Sequence, residues 1–295
     1  MDIVDSHHHL WDLAVGRYPW LQGPPIPYAG GDYADLRRDY RIEDYLADIA
    51  GHGIAASVHV EADWDPNGDP AAETAWLQAI AGRHGYPHAI VAQCDLGAPD
   101  VAAQLARHGA HRNLRGVRNL RPGPSLPKGL DAAAMFDHPD WRRGFALLGP
   151  RNLSYDMRMT PREAASALRL ARDFPQTTIV ITHLGYPPAA ATAEAVADWR
   201  GGLAAMAACP NVVAKLSGFG MYSRQWTVAM MQPWVDALID EFGPQRCMYG
   251  SNYPVDRLGA PYARIMAAMA ELLARRDAGA RAAIMGGTAR RVYRI

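Results

Sequence analysis

The sequence predicts an α/β fold, a single (β/α)8 barrel of the TIM type with a long loop after the first strand. Short β-rich runs alternate with longer helical segments along the whole chain, and no shift in composition divides the 295 residues. We therefore expect one barrel domain over residues 1–295. The alternative is an open doubly wound sheet, which is disfavoured because no Gly-x-Gly-x-x-Gly or Walker loop follows a predicted strand.

The elements of the barrel are predicted in order along the chain. The strands are expected at 2–9, 55–63, 89–96, 114–120, 153–159, 177–185, 211–218 and 247–254. Ala-rich segments with apolar residues at helical spacing predict helices at 70–83, 99–108, 161–174, 189–208, 225–242 and 260–276. Some of these helices follow a start signal, such as Asp69-Pro70 or Thr160-Pro161.

Residues 10–41 interrupt this alternation with a segment rich in proline, glycine and aromatic residues. A long irregular loop inside a compact domain is usually functional, and in a barrel this loop lies at the C-terminal face, where active sites form. We expect Tyr18 and Trp20 to face the substrate. The alternative is a surface loop that packs its own aromatic residues together.

Composition excludes several classes of partner. The 30 basic and 30 acidic side chains give a net charge of zero, which provides no field to attract nucleic acid or an anionic membrane. The N-terminus carries charge and histidine where a signal peptide needs an apolar run, and no stretch approaches about 18 consecutive apolar residues. Cys94, Cys209 and Cys247 form no close pair, which favours free thiols. We expect a cytoplasmic protein that acts on a small molecule.

Lysine is rare in this sequence. Only Lys128 and Lys215 are lysines among the 30 basic residues, while arginine and alanine are used freely throughout. A lysine that is kept against such a bias is a candidate for a specific role.

Polar residues concentrate at the C-terminal ends of the predicted strands. Strand residues alternate between the barrel interior and the helix layer, so Asp5, His7 and His9 are predicted to point inward and His8 outward. The same alternation predicts that His59, Glu61, Asp63, Arg118, Asp156, His183, Lys215, Ser217 and Asn252 point inward. So many polar residues at strand ends are typical of a catalytic face. The alternative for Glu61 and Asp156 is a buried structural network with Arg118 or Lys215.

Five motifs carry a family resemblance. They are DSHHHLW at 5–11, THLG at 182–185, KLSG at 215–218, YGSNYP at 249–254 and GTARRVY at 287–293. In this order they resemble the amidohydrolase superfamily, in the metal-dependent-hydrolase-like branch that contains sugar lactonases and a pyrone-dicarboxylate lactonase. The resemblance covers nearly the whole chain. It implies a distorted (β/α)8 barrel with hydrolytic chemistry at the strand C-termini.

The resemblance assigns roles to four residues. His7 and His9 match the His-x-His pair on the first strand, and His183 matches the histidine after the sixth. Asn252 falls where the superfamily has an aspartate that serves as general base and metal ligand. A carboxamide cannot accept a proton from water, and it is a poorer zinc ligand than a carboxylate. The lysine or histidine that helps to hold a second metal has no evident match, which argues against a binuclear site.

These residues predict a lactonase, which opens a ring ester of an acidic or sugar-derived molecule. His7, His9 and His183 either hold one Zn²⁺ or act without metal as hydrogen-bond donors around the carbonyl, and we expect no obligatory metal. The best candidate for the general base is Asp256, four residues past Asn252. The remaining predicted substrate-binding residues are Glu61, Arg118, Arg121, Asp156 and Lys215, whose positive members suit a carboxylate or an oxyanion.

Two other functions stay open. One is a metal-dependent decarboxylase of an aromatic or unsaturated acid, as in neighbouring branches of the superfamily; Asn252 counts against it. The other is an inactive barrel that only binds a ligand, which Asn252 supports and the retained histidines oppose. The sequence does not predict an oligomeric state.

Overall fold

Eight parallel strands follow one another in chain order around one sheet, with helices interleaved between them. The computed structural model describes residues 2–28, 31–65, 68–120, 123–188 and 190–295. The strands are β1 (Ile3–His8), β2 (Ile54–Val60), β3 (Ala89–Gln93), β4 (Leu114–Arg118), β5 (Ser154–Met157), β6 (Ile179–Ile181), β7 (Val212–Leu216) and β8 (Cys247–Tyr249). This is the TIM-barrel fold, so the predicted fold class is confirmed.

The helices cover the sheet between these strands. They are α1 (Pro19–Gln22), α2 (Ile42–Ile49), α3 (Ala71–His84), α4 (Val101–Gly109), α5 (Ala132–Asp137), α6 (Pro139–Phe145), α7 (Ala164–Asp173), α8 (Ala193–Ala207), α9 (Val228–Phe242), α10 (Tyr262–Leu272), α11 (Ala278–Ala282) and α12 (Thr288–Tyr293). All six predicted helices are present within a few residues of their expected bounds. Helix α2 was not predicted, although Ile42, Tyr45 and Ile49 give it a buried stripe at helical spacing.

The barrel closes through the segment that follows β8. The backbone N–H of Asn252 donates to the carbonyl of His7 at 2.7 Å, and that of His9 donates to Tyr253 at 2.8 Å. The Asp5 carboxylate accepts bonds from the Ser251 N–H at 2.8 Å and from its hydroxyl at 2.6 Å. The closure therefore places the Asn252 motif directly beside the histidines of β1.

The lumen of the barrel is filled by small aliphatic side chains and one tyrosine. One buried cluster draws residues from six strands: Val4, Ala56, Val58, Val60, Ala89, Val91, Val180, Val213 and Met248. Tyr293 of the C-terminal helix α12 is fully buried in the same cluster. The chain end thus closes the lumen below the polar layer.

The alternation along β1 and β2 differs from the prediction at two residues. The pairing register of β1 shifts between Asp5 and His8, and Asp5 points into the helix layer, where the hydroxyls of Tyr45 and Tyr262 donate to it at 3.1 and 3.2 Å. His59 also faces outward, because its neighbours Val58 and Val60 fill the lumen. The inward assignment of Asp5 and His59 was therefore wrong. At Asp5 a register shift in β1 breaks the period of two. On β2 the alternation holds, but Val58 and Val60 are its inward residues.

Two composition-based expectations can be compared with the structure. Cys94, Cys209 and Cys247 are buried free thiols, as predicted. Among the described residues, no helix combines the length and the apolar character that a membrane span requires.

Candidate active site

A small cavity of about 230 Å³ opens at the C-terminal face of the barrel. It is lined by His9, Trp11, Trp20, Ile26, Tyr28, Ala62, Asp63, Arg118, Leu120, His183, Tyr186, Met221, Asn252 and Val255. These residues come from the ends of several strands and from the loop after β1. The structure thus brings five predicted residues together: His9, Trp20, Arg118, His183 and Asn252.

Backbone strain concentrates around this cavity. Of seven non-glycine residues with positive φ in the described chain, four line it: Asp63, His183, Tyr186 and Asn252, with φ between 51° and 60°. Each such conformation costs on the order of 1–3 kcal/mol and tends to persist at functional sites. Strain at His183 also ends β6 at Ile181, earlier than the sequence predicts.

A buried ion pair lies beneath the cavity. The ammonium of Lys215 and the carboxylate of Asp156 are 2.6 Å apart, and both side chains are 0% exposed. The Tyr293 hydroxyl donates to Asp156 at 2.9 Å. Burial lowers the pKa of Lys215, and the adjacent Asp156 carboxylate opposes that shift. Neither residue is among those that line the cavity. Lys215 and Asp156 therefore form a buried structural pair, which is the alternative that the sequence left open, and do not contact substrate from this position.

Lys215 also fixes the neighbouring His7. The Lys215 Nζ lies 3.3 Å from His7 Nδ1, and an ammonium can only donate. The His7 ring must therefore accept at Nδ1 and carry its hydrogen at Nε2. That Nε2 is buried and has no hydrogen-bond partner within the described chain. The His7 ring centroid lies 5.0 Å from that of His9 and 4.6 Å from that of His183, so a buried donor is left between two cavity residues.

His9 and His183 are also held as neutral imidazoles. His9 Nδ1 lies 2.8 Å from the Val60 carbonyl, which can only accept, so the hydrogen of the neutral ring is at Nδ1. Burial and the nearby Arg118 lower the pKa of His9 to about 3. His183 Nδ1 lies 3.0 Å from the hydroxyl of Ser217, and burial likewise lowers its pKa well below the ordinary value. The three histidines add polarity at neutral pH but no charge.

In this arrangement His7 and Asn252 do not fit a zinc ion. Zinc binds a lone pair of a neutral imidazole, but the contact with Lys215 leaves the His7 Nε2 protonated. Asn252 supplies a carboxamide where a carboxylate ligand would stand. No group of three His, Cys, Asp or Glu side chains within the described residues has a metal-binding arrangement.

Arg118 is the cation that lines the cavity, and it is already paired. Its Nε donates to the carboxylate of Glu61 at 2.5 Å, and its Nη2 donates to the Glu61 carbonyl at 2.7 Å. Both side chains are at most 5% exposed. Glu61 therefore acts as the partner of Arg118, as the alternative interpretation expected. The pair brings a guanidinium to the cavity without adding net charge.

Asp256 stands behind Asn252. The Asn252 Nδ2 lies 2.8 Å from Asp256 Oδ1, and Asp256 is 1% exposed. Burial raises the pKa of Asp256 to about 7, although hydrogen bonds from Asn252 and from the backbone of Gly220 and Phe219 oppose the shift. Asp256 is thus poised to change protonation near neutral pH, and Asn252 separates it from the cavity.

Two predicted residues of the 10–41 loop have different positions. Trp20 lines the cavity, and its indole N–H donates to the Ala62 carbonyl at 2.9 Å. Tyr18 is fully buried against Trp64, with ring centroids 5.2 Å apart, and does not belong to the described cavity lining. Tyr18 therefore packs inside the loop, and its prediction as a substrate-facing residue was wrong. Arg121 lies outside the described residues.

The cavity also contains residues that the sequence did not single out. Tyr28, Tyr186 and Leu120 line it, and they lie on loops whose course no periodicity predicts. Asp63 was recognised as a strand-end residue but not assigned a role. The motif THLG could have suggested Tyr186, which follows it directly.

Glycine makes room for the histidines. A Cβ at Gly218, where φ is +77°, would lie 2.8 Å from the His183 ring, and one at Gly250 would lie 2.7 Å from the His7 Cβ. Both contacts are closer than carbon atoms normally approach. The glycines of the KLSG and YGSNYP motifs therefore have a steric role.

Comparison with known proteins gives a consistent family. The Amidohydrolase family model matches residues 4–295. An uncharacterized protein of Sinorhizobium fredii is 37% identical over 99% of this chain and 98% of its own length. An L-fucono-1,5-lactonase of Burkholderia multivorans is 31% identical over 99% of this chain and 96% of its own.

A solved structure is similar over the full length. An amidohydrolase from Burkholderia multivorans, crystallised with bound zinc, has a TM-score of 0.83 and 31% identity, and the match covers 100% of both chains.

Replacing Gly218 tests the packing against His183. We expect Gly218→Ala to destabilise the fold more than Gly85→Ala, which is a matched control because Gly85 has a φ of +78° and no described atom within 4 Å of its ideal Cβ. Both variants incur the cost of about 1–3 kcal/mol for a side chain in this conformation. Only Gly218→Ala adds the contact with the ring.

Free energies of unfolding from urea titrations measure the difference. Equal losses in the two variants would show that His183 is not confined by Gly218.

Proposed function

The chain belongs to the amidohydrolase family, and on that basis we propose that it hydrolyses the ring ester of a sugar-derived lactone. The observation that carries the proposal is the small cavity in which neutral histidines, a paired guanidinium and Asn252 converge. A lactonase needs donors for a developing oxyanion and a base for water, and it needs no further redox group. The L-fucono-1,5-lactonase relative supports this choice of reaction.

Charge favours a sugar lactone over an acidic one. The described cations predicted to bind a carboxylate are already paired, Arg118 with Glu61 and Lys215 with Asp156. A substrate carboxylate would therefore have to compete with Glu61 or Asp156 for either of these two cations. Hydroxyl groups, in contrast, can both donate to and accept from the lining side chains.

The reaction requires attack of water on the ester carbonyl. Asp256 accepts a proton from the water as its oxygen bonds to the carbonyl carbon, and the negative charge passes to the carbonyl oxygen. Arg118 and His183 stabilise this oxyanion from the cavity wall, and the Nε2–H of His7 provides a third, buried donor. The ring C–O bond then breaks, and the departing oxygen takes the proton from Asp256. The product is an open-chain hydroxy acid.

Asn252 connects the base with the cavity. Its side chain lines the cavity and bonds Asp256 at 2.8 Å, and we propose that the attacking water passes its proton to Asp256 beside this amide. Asp63 is the competing candidate because its residue lines the cavity directly. The raised pKa of Asp256, caused by burial, favours Asp256 as a base at neutral pH.

We propose that turnover requires no metal. The hydrogen at His7 Nε2 and the amide at position 252 support this proposal. The same two features disfavour the metal-dependent decarboxylase.

A lactone panel tests the reaction and its metal requirement together. We expect acid release from L-fucono-1,5-lactone and related hexono-1,5-lactones above the spontaneous rate, and unchanged kcat after exhaustive chelation. The physical reason is that donors and base are all side chains. A pH-indicator assay measures acid release, and the metal content is determined on the same samples. Absence of turnover on every lactone would reject the lactonase, and loss of activity restored by zinc would reject the metal-independent mechanism.

Substitution of the two carboxylates separates the candidate bases. We expect Asp256→Asn to lower kcat by about 10²–10⁴-fold, the usual contribution of a general base. In the unsubstituted protein kcat/KM should fall as pH drops below about 7, because protonated Asp256 cannot accept a proton. The matched variant Asp63→Asn should keep that acidic limb.

The pH dependence of thermal stability tests the raised pKa of Asp256 without any substrate. Because burial raises its pKa, the folded state favours neutral Asp256, and this contribution is lost as pH rises through about 7. Asp256→Asn should therefore raise Tm at pH 8 relative to the parent, with a smaller change at pH 5.5. A Tm difference between Asp256→Asn and the parent that does not change with pH would contradict the raised pKa of Asp256. Loss of the acidic limb of kcat/KM in Asp63→Asn alone would assign the base to Asp63.

A further inference from the structure

A second cavity adjoins the first one. Its volume is about 560 Å³, compared with about 230 Å³ for the reaction cavity. Trp20, Ile26, Asp63 and Leu120 line both, so the two cavities share part of their walls. The second cavity extends past the ends of β3 and β4, and the proposed reaction uses none of this space.

Asn119 lines this second cavity and carries a buried acceptor without a partner among the described residues. It follows Arg118 at the end of β4 and is 8% exposed. Its Oδ1 is buried and has no hydrogen-bond partner in the described part of the chain. A buried acceptor without a partner costs about 1–3 kcal/mol, and native proteins rarely leave one without reason. A ligand donor satisfies it once the amide turns its oxygen toward the cavity that Asn119 lines.

Two carboxylates on the same lining are held by neutral donors. Asp95 accepts the backbone N–H groups of Gly97 at 3.0 Å and Ser125 at 3.1 Å. Asp100 accepts the side-chain amide of Gln104 at 2.8 Å. A carboxylate has about four lone-pair sites, so each retains capacity for a ligand. Such a wall disfavours an anion and favours a ligand with several donors.

Apolar side chains line the same cavity as these acceptors. The Trp20 ring is fixed by its indole bond to Ala62 and by stacking on Tyr28, with ring centroids 6.1 Å apart. Leu120 and Ala98 also line the cavity. A fixed aromatic ring and several acceptors in one cavity suit a ligand ring that carries hydroxyl donors at its rim and C–H groups on its faces. A sugar ring has this chemistry.

We infer that the second cavity is a subsite for an additional sugar unit, so that the chain opens lactones of disaccharide acids. The ring ester would occupy the first cavity and the second sugar would contact Asn119 and the Trp20 face. Only the ester bond is hydrolysed, and the glycosidic bond is untouched. This inference rests on the proposed lactonase function.

The test compares three lactones on the full chain. Glucono-1,5-lactone is the one-sugar reference, cellobiono-1,5-lactone carries a second sugar through O4, and melibionolactone carries one through O6. We expect kcat/KM for at least one disaccharide lactone to exceed the one-sugar value. Values below the reference for both disaccharide lactones would overturn the inference and leave the lactonase function standing.

Two variants locate the effect. Asn119→Leu removes the acceptor, and Ser125→Trp fills the cavity from an exposed lining position. Each should lower the ratio of disaccharide to one-sugar kcat/KM at least tenfold. Because Ser125 is exposed, its variant serves even if Asn119→Leu fails to fold. An unchanged ratio in the Ser125 variant would contradict the subsite.

If no lactone is hydrolysed, binding of the free disaccharides tests the subsite independently of the reaction. Saturation-transfer NMR should then detect cellobiose or melibiose on the parent and not on Ser125→Trp. Absence of binding to the parent would overturn the subsite, as would binding of spermidine in place of both sugars, since that would assign the cavity to a cation.

Discussion

The buried pair of Lys215 and Asp156 ties the fold to the site. It joins β7 to β5 under the cavity, receives the hydroxyl of Tyr293 from the C-terminal helix, and contacts His7 on β1. Removing one partner of such a pair typically costs about 3–5 kcal/mol, because the other charge is left unpaired in the interior. The orientation of His7 on β1 therefore depends on three other segments of the chain, β5, β7 and α12.

Charge compensation of this kind defines the chemistry of the cavity. Lys215 and Arg118 each have a carboxylate partner, and burial keeps the three histidines neutral. What remains is a set of oriented donors and acceptors, with Asp63 on the cavity lining and Asp256 behind Asn252. Burial raises the pKa of Asp256 to about 7. Preorganised dipoles without net charge are suited to a neutral substrate that becomes an oxyanion during reaction.

The sequence predicted the barrel and the members of the polar layer better than their contacts. The two-residue alternation along a strand predicted that His7 and His9 lie on the same side, because this alternation is a local property. The family resemblance is confirmed. The alternation failed at Asp5, where a bulge shifts the register. Whether Lys215 reaches substrate or Asp156 depends on which residue the opposite strand supplies, and no local pattern contains that information. Tyr18 and Trp20 show the same limit for an irregular loop.

The hydrogen of His7 tests the central claim most directly, since it decides between a buried donor and a metal ligand. Two-bond ¹H–¹⁵N correlation spectra of ¹⁵N-histidine-labelled protein at neutral pH, assigned with His7→Gln, report which ring nitrogen is protonated. The account predicts a hydrogen on Nε2 and a bare Nδ1 facing Lys215. A hydrogen on Nδ1, with Nε2 bare, would contradict it, because Lys215 could not then be an ammonium and His7 would be free to bind zinc.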